Sequence, residues 1–238
     1  MTASLLPSGL RAPALLGTGP GAALGPVPEP VLAELDDIGF DLPELGRCDH
    51  ERVLLILLFD NSPSVATECD PFGQRFEEAA IALAHCRRRC GCLRELVAVR
   101  TFDGHTSSDV GPVHLDGSGF RRVTAALTAP PELGDGWSRL RPALREAERL
   151  ASWYPRHRPA LVVFSDFLLQ DWFPTAALAR LGRFPGRVHA VVLGVDPPPA
   201  LLAGSVAVSQ IVADSPPGEV ARAVVSVLAD GPDGGASR

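Results

Sequence analysis

The residues best suited to chemistry in this chain are an aspartate and two serines at the end of an apolar run. Asp60, Ser62 and Ser64 form an Asp-x-Ser-x-Ser motif directly after Val53–Phe59, which is seven consecutive apolar residues. Their carboxylate and hydroxyl oxygens carry little total negative charge, which suits a hard cation such as Mg²⁺ that keeps several of its waters. The alternative is a turn in which these side chains only bond nearby backbone amides.

A cation bound by oxygen atoms needs more ligands than one loop supplies, and two later segments supply candidates. Pro159–Asp166 is a second apolar run that ends in an acid. Ser138 precedes a segment whose apolar residues recur at helical spacing, and Asp135 is a rival ligand three residues before it. Ligands of open α/β sheets bind at the carboxyl ends of the strands, so we expect these side chains to meet there. The predicted metal ligands are Asp60, Ser62, Ser64, Ser138 and Asp166.

The elements that must position these side chains alternate between strand and helix patterns. Apolar runs without alternation are typical of parallel strands that are buried on both faces. We predict strands at Val53–Phe59, Leu96–Phe102, Val110–Leu115, Pro159–Asp166, Val188–Val195 and Val206–Val212, and helices at Gly73–His85, after Ser138 and at Glu219–Leu228. This alternation predicts an α/β fold: a three-layer, doubly wound, mostly parallel sheet with helices on both faces.

In the order and spacing of these residues, the chain resembles the von Willebrand factor A (vWA) family from about Arg52 to Leu228. The metal-ion-dependent adhesion site (MIDAS) of that family combines Asp-x-Ser-x-Ser after the first strand, a Thr before a central helix and an Asp after the fourth strand. The first part matches in full, and the last matches as Asp166. Ser138 stands where the family usually has Thr, so it keeps the hydroxyl but lacks the methyl group that stiffens χ1.

The resemblance implies a Rossmann-like binding module. The three serines would bind Mg²⁺ or Mn²⁺ directly, while Asp60 and Asp166 would hold its waters through hydrogen bonds. An open octahedral position would then accept a Glu or Asp of a partner protein. Intracellular bacterial members of the family often work beside AAA+ ATPases of the MoxR type or in stress and conflict systems. The implied partner is therefore such an ATPase or the product of a neighbouring gene.

Two alternatives stay open at this point. The same fold could serve as a scaffold that binds partners without a metal, if Ser138 is misplaced. A phosphohydrolase similar to the haloacid dehalogenases also starts with a strand and an Asp, but it needs a second Asp two residues later, where this chain has Ser62. That acid protonates the leaving group, a contribution of about 10²- to 10⁴-fold in rate. No P-loop, G-x-S-x-G or G-x-G-x-x-G motif follows a predicted strand, so we do not expect an enzyme.

Composition argues against nucleic acid and membrane as partners. Apolar residues make up 46% of the chain, and the formal net charge is -6, which does not favour a phosphate backbone. The longest apolar runs have strand length, well below the ~20 residues of a membrane-spanning helix. The N-terminus is interrupted by prolines and has Arg11 as its one early charge, unlike a signal peptide. We expect a cytoplasmic protein.

The chain ends and the cysteines complete the predictions. Residues 1–47 are dense in Pro, Gly and Ala and predict a flexible arm, residues 48–229 the vWA-like domain, and residues 230–238 a disordered tail. Within the arm, Val31–Leu45 could form a short helix, which we expect to pack on the domain in preference to docking on a partner. The C-x₃-C-x-C spacing and three intervening arginines favour reduced thiols over a zinc site. That cluster is His85, Cys86, Cys90 and Cys92.

Overall fold

The computed structural model describes residues 42–43, 52–69, 73–89, 94–102, 109–128 and 137–229 of the 238 residues. Within them, the strands are β1 (Val53–Phe59), β2 (Leu96–Thr101), β3 (Val110–His114), β4 (Arg158–Ser165), β5 (Arg187–Leu193) and β6 (Ala207–Ile211). The helices are α1 (Gln74–Arg89), α2 (Gly117–Thr128), α3 (Leu140–Trp153), α4 (Pro174–Leu181), α5 (Pro199–Leu202) and α6 (Glu219–Ala229). A π-helical turn, Val65–Cys69, follows the Asp-x-Ser-x-Ser motif.

The strands form one sheet in the order β3-β2-β1-β4-β5-β6. Neighbouring strands are parallel, except that β3 pairs antiparallel with β2 at one edge. The first strand therefore lies in the middle, and the chain builds outward from it on one side and then on the other. The strand order reverses between β1 and β4, and in open α/β sheets the carboxyl ends of the strands at such a reversal are where ligands bind. The predicted doubly wound, mostly parallel α/β fold is confirmed.

The alternating faces of β1 belong to two different hydrophobic layers. Leu55, Leu57 and Phe59 pack in a core with α1, α2 and α6. Leu54, Ile56 and Leu58 pack in a second core with α3 and α4 on the other side of the sheet. Every residue of β1 is buried, and a fully buried Leu or Phe side chain contributes about 1.5–3 kcal/mol. An apolar run without alternation therefore forms the central strand of a three-layer structure.

The helices differ from the sequence prediction in extent and in number. Helix α1 continues past the predicted end at His85 to Arg89, and α2, α4 and α5 are not predicted. Helix α2 starts at a cap that the sequence contains: the Asp116 carboxylate accepts hydrogen bonds from the amides of Ser118 and Gly119, at 2.9 and 2.8 Å. Gly119 weakens the helical pattern in the sequence. A larger residue could not stand there, because a Cβ would lie 1.9 Å from the His114 carbonyl oxygen. The glycine allows α2 to pack closely on β3.

Most of the predicted arm lies outside the described residues, as do the tail, Asp135, Cys48, Cys90 and Cys92. Leu42 and Pro43 are the part of the arm that is described. Leu42 packs against the core beside α1, and the Pro43 carbonyl oxygen lies 3.1 Å from Nε2 of His85. None of the helices in the described ranges is long and apolar enough to cross a lipid bilayer.

A buried carboxylate on α1 holds the start of α6. The Glu78 oxygens accept hydrogen bonds from the backbone amides of Gly218, Val220 and Ala221, at 2.9, 2.9 and 3.2 Å. The first amides of a helix have no partner within the helix, and a negative charge there is favourable. Glu78 thus joins two helices of the same layer through the backbone.

Removing this carboxylate should destabilise the fold. We expect Glu78→Ala to lower the free energy of unfolding by about 1–3 kcal/mol or more, because buried amides lose their acceptors. Urea denaturation measures the change. Asp214→Ala, at an exposed position outside the helices, is the control and should stay within about 0.5 kcal/mol of the wild type. Equal effects of the two substitutions would contradict the assigned role of Glu78.

The buried imidazole of His189 makes stability depend on pH. Burial lowers the pKa of His189, whose Nε2 lies 2.8 Å from Oγ of Ser209 on β6. The unfolded chain takes up this proton near pH 6.5, whereas the buried ring stays neutral to lower pH. The free energy of unfolding should therefore fall as pH decreases from about 6.5 through the pKa of the folded state. In His189→Gln this fall should be smaller, as measured by urea denaturation between pH 5 and 8.

The fall should not vanish in that variant, because desolvation also lowers the pKa of His85 and His157. Identical pH profiles of wild type and His189→Gln would show that His189 does not contribute.

Candidate metal centre

The two candidate carboxylates lie at the carboxyl ends of adjacent central strands. Asp60 follows β1, and its backbone amide donates to the Phe164 carbonyl of β4 at 2.9 Å. Asp166 directly follows β4. Both residues are almost fully inaccessible to solvent, with 0% and 1% of their surface exposed. Pairing of β1 with β4 therefore places two buried acids at one edge of the sheet.

The Asp60 carboxylate accepts three hydrogen bonds from three parts of the chain. Its Oδ1 accepts from the Ser62 amide at 2.9 Å. Its Oδ2 accepts from the hydroxyls of Ser138 and Ser165, at 2.7 and 2.6 Å. Burial of a charged group is costly unless hydrogen bonds replace its water, and these three donors do so.

The Asp166 carboxylate is held by the motif loop and by its own turn. Its Oδ2 accepts from the Ser64 hydroxyl at 2.6 Å, and its Oδ1 accepts from the Leu168 amide at 2.9 Å. The hydroxyl oxygens of Ser62 and Ser64 are 3.3 Å apart. Because Ser64 gives its one proton to Asp166, Ser62 is the donor in that pair. The motif loop therefore forms a chain of hydroxyls that ends on the second acid.

Ser138 is positioned by the segment that follows β4. Its carbonyl oxygen accepts from the Gln170 amide at 2.8 Å. The Asp171 carboxylate accepts from the amides of Leu140 and Arg141, at 2.9 and 3.1 Å, and so caps the start of α3 from outside the helix. Segment 166–173 thus fixes the entry to α3 and places the Ser138 hydroxyl against Asp60.

A buried arginine supplies positive charge next to Asp60. Arg75 on α1 is 1% exposed, and its Nη2 donates to the Asp60 carbonyl oxygen and to Oδ1 of Asn61, at 3.2 and 3.1 Å. Its guanidinium also stacks 4.4 Å from the centre of the Phe76 ring. These contacts use backbone and amide oxygens, so the carboxylate oxygens stay available to the serine hydroxyls.

The structure brings all five sequence-predicted residues into one hydrogen-bonded group: Asp60, Ser62, Ser64, Ser138 and Asp166. The rival ligand Asp135 lies outside the described residues. Sequence reasoning missed Asn61, Arg75 and Ser165. Ser165 left a signal, since it is a polar residue inside the apolar run Pro159–Asp166, whereas Arg75 resembles any solvated arginine in the first turn of a helix.

The donor set fits a hard divalent cation. The Ser138 and Ser64 hydroxyls each direct their proton to a carboxylate, which leaves oxygen lone pairs that could bind a cation. Hydroxyl and carboxylate oxygens are the ligands that Mg²⁺ and Mn²⁺ prefer. Across the described ranges, no group of three or more His, Cys, Asp or Glu side chains is placed to hold a metal. The present group instead combines two acids with serine hydroxyls.

Two members of the predicted cysteine cluster, Cys90 and Cys92, lie outside the described residues. Cys86 is buried in the last turn of α1, and burial raises the pKa of its thiol to about 12. The thiol is therefore protonated at neutral pH, and it is the thiolate that binds metals.

No protein-family model matches the sequence, and no curated protein matches it. Solved structures resemble the fold. The pilus adhesin SpaC from Lactobacillus rhamnosus GG has a TM-score of 0.57 at 14% identity, over 77% of this chain and 30% of SpaC. Manganese-loaded TRAP of Plasmodium vivax has a TM-score of 0.54 at 14% identity, over 75% of this chain and 74% of TRAP. A von Willebrand factor type A protein from Catenulispora acidiphila has a TM-score of 0.52 at 17% identity, over 75% of this chain and 42% of that protein.

At these identities the likeness defines the fold alone. The chain has the vWA fold, as its motifs predict. It spans less than half the length of SpaC and of the Catenulispora protein, and about three quarters of TRAP.

Ser165 provides a test of the hydrogen-bonded group that the sequence did not suggest. Its hydroxyl donates to Asp60 and accepts from the Phe167 amide at 2.8 Å. We expect Ser165→Ala to lower the free energy of unfolding by about 1–3 kcal/mol, because the buried Phe167 amide loses its acceptor and Asp60 loses one of its three donors. Ser152→Ala, at an exposed serine of α3, is the control and should stay within about 0.5 kcal/mol of the wild type. Urea denaturation of both variants decides the matter, and a neutral Ser165→Ala would refute the assigned role.

Proposed function

We propose that this protein is a vWA-type interaction module that binds Mg²⁺ or Mn²⁺ at the carboxyl edge of its sheet and engages a carboxylate of a partner protein. The observation that carries the proposal is the pairing of two hydroxyls with two buried acids, Ser138 with Asp60 and Ser64 with Asp166. Both pairs lie at one strand edge, and each pair leaves hydroxyl oxygen lone pairs for a cation.

In this proposal, serine hydroxyls bind the ion and the two aspartates orient those hydroxyls. The hydroxyls of Ser62, Ser64 and Ser138 are neutral ligands, while Asp60 and Asp166 orient them and offer negative charge behind them. When bound, the cation supplies a positive centre that can accept a partner's Glu or Asp. Few direct charged ligands leave that centre electrophilic, and Arg75 reduces the negative charge of the site further.

The comparisons support binding rather than catalysis. SpaC is described as a pilus adhesin and TRAP as loaded with manganese, and both share the fold of this chain. We extend the proposal to a cytoplasmic protein whose partner is an AAA+ ATPase or a neighbouring gene product of a stress or conflict system. The support for this extension is the family resemblance of the sequence. A phosphohydrolase is disfavoured because Ser62 occupies the place of the general acid.

One observation favours the second candidate, a scaffold of the same fold that works without metal. Protein groups alone satisfy the Asp60 carboxylate with three hydrogen bonds and the Asp166 carboxylate with two. Such a network could hold the strand ends and the start of α3 together without an ion.

Metal titration separates the two candidates. Isothermal titration of Mn²⁺ and Mg²⁺ into the protein should show one weak site, because two acids offer modest charge and Mg²⁺ gives up its waters reluctantly. Ser138→Ala should weaken binding by about ten-fold or more. Ser138→Thr, which restores the hydroxyl in the form usual for the family, should retain binding.

Near-ultraviolet circular dichroism should show both variants folded. Absence of saturable heat in the wild type would favour the metal-free scaffold, and unchanged affinity in Ser138→Ala would place the ion elsewhere.

A further inference from the structure

Four large apolar side chains on the two segments that carry Ser138 and Asp166 are exposed to solvent. We call them the apolar rim: Trp137, Leu168, Trp172 and Phe173, which are 51%, 61%, 89% and 66% exposed. The other exposed large apolar residues of the described ranges are Trp153, Leu202 and Val212, each in a different part of the fold. Single exposed apolar residues are ordinary, but a cluster of them marks an interaction surface.

The rim is built on the two segments that form the metal centre. Trp137 directly precedes Ser138, and the Leu168 amide is one of the donors to Asp166. Three hydrogen bonds join the segments, one from the Gln170 amide to the Ser138 carbonyl and two from α3 amides to Asp171. The backbone that carries the four side chains is therefore joined to the backbone that carries the acids and Ser138.

The backbone under the rim is ordered by its own hydrogen bonds. The Phe173 carbonyl oxygen accepts from the amides of Ala176 and Ala177, both at 3.1 Å, at the start of α4. Pro174 then occupies the first position of that helix. Rigid aromatic side chains on a fixed backbone lose little entropy on binding, which is one reason why Trp dominates interface hot spots.

Two arginines add positive charge to this edge. Arg139 and Arg141 are exposed at the start of α3, and the Arg139 guanidinium lies 4.6 Å from the centre of the Trp137 ring. Positive charge at the start of a helix opposes the helix dipole, so these arginines do not serve helix stability. The nearby Asp171 carboxylate is engaged by the amides of Leu140 and Arg141. The start of α3 thus places two exposed arginines beside the segment that carries Trp137.

We propose that the apolar rim, with Arg139 and Arg141, docks a partner segment in which large apolar residues flank an Asp or Glu. The inference rests on the proposed function, because the acid of that segment is the carboxylate that the metal centre engages. Apolar residues of the segment pack on the rim, and the rim selects among the many segments that carry an acid.

Selection from a random twelve-residue peptide display library tests this specificity. In Mg²⁺ buffer, the wild type should enrich peptides with Asp or Glu next to Trp, Phe or Leu. The double variant Trp172→Ser, Phe173→Ser should lose the apolar preference and keep the acidic one. Ser138→Ala should lose the acidic preference, and its retention there would overturn the proposed function. If the apolar preference persists in the rim variant, or if the wild type enriches no peptides, the proposal that the rim docks the partner segment is overturned.

A matched tryptophan provides the quantitative control. Trp153 is 64% exposed at the last position of α3, roughly 20 Å along the helix from the rim. For a selected peptide, fluorescence anisotropy should show binding weakened by about ten-fold or more in Trp172→Ser and by less than about two-fold in Trp153→Ser. Equal losses would contradict a localised rim.

Two other possible occupants of the rim, a second copy of this chain and a lipid membrane, are tested directly. Light scattering over a range of protein concentrations would reveal a dimer that Trp172→Ser dissolves, and flotation with phospholipid vesicles would reveal binding that the same variant abolishes. Either result would replace the partner segment with a second copy or with a membrane. A monomer that does not float, together with the peptide selectivity, supports the proposal.

Discussion

The buried carboxylate of Asp60 is the constraint on which the centre of this structure depends. A charged group without water is costly unless donors replace that water, and here they come from three separate stretches of chain. Ser62 lies in the motif loop, Ser138 lies before α3, and Ser165 ends β4, more than one hundred residues after Asp60. The carboxylate is satisfied only when β1 lies beside β4 and α3 starts at this edge. The hydrogen bonds of one buried acid thus depend both on the pairing of β1 with β4 and on the position where α3 starts.

A second buried acid at the same edge raises the question of how two negative charges coexist. Arg75 answers it in part, because its guanidinium donates to the Asp60 carbonyl oxygen and to the Asn61 side chain and so places a positive charge next to Asp60. The observed arrangement supplies compensating charge and leaves the hydroxyl–carboxylate pairs intact. The hydroxyl oxygens of these pairs keep lone pairs that suit a cation.

The sequence predicts most of the sheet and the five proposed ligands, because both depend on local patterns. Uninterrupted apolar runs such as Val53–Phe59 mark central strands, and the acids that end two of them meet once those strands pair. Helix α2 escapes prediction because Gly119, which serves close packing on His114, weakens the helical pattern. Arg75 escapes because only tertiary packing decides that an arginine on a helix is buried. What the sequence misses is set by contacts between elements, which no local pattern records.

Segment 166–173 couples the proposed ion to the proposed partner surface. It contributes the acid Asp166, the cap Asp171 that fixes α3, and three of the four rim side chains. Oxygen ligands around a cation are nearly the same for any partner that offers a carboxylate, so selectivity has to come from the surrounding surface. Because one segment carries both ligand and rim, its hydrogen bonds hold the two in one fixed relation. The same segment fixes the start of α3 through Asp171, so the proposed partner would meet Asp166 and Ser138 in positions that are set before it binds.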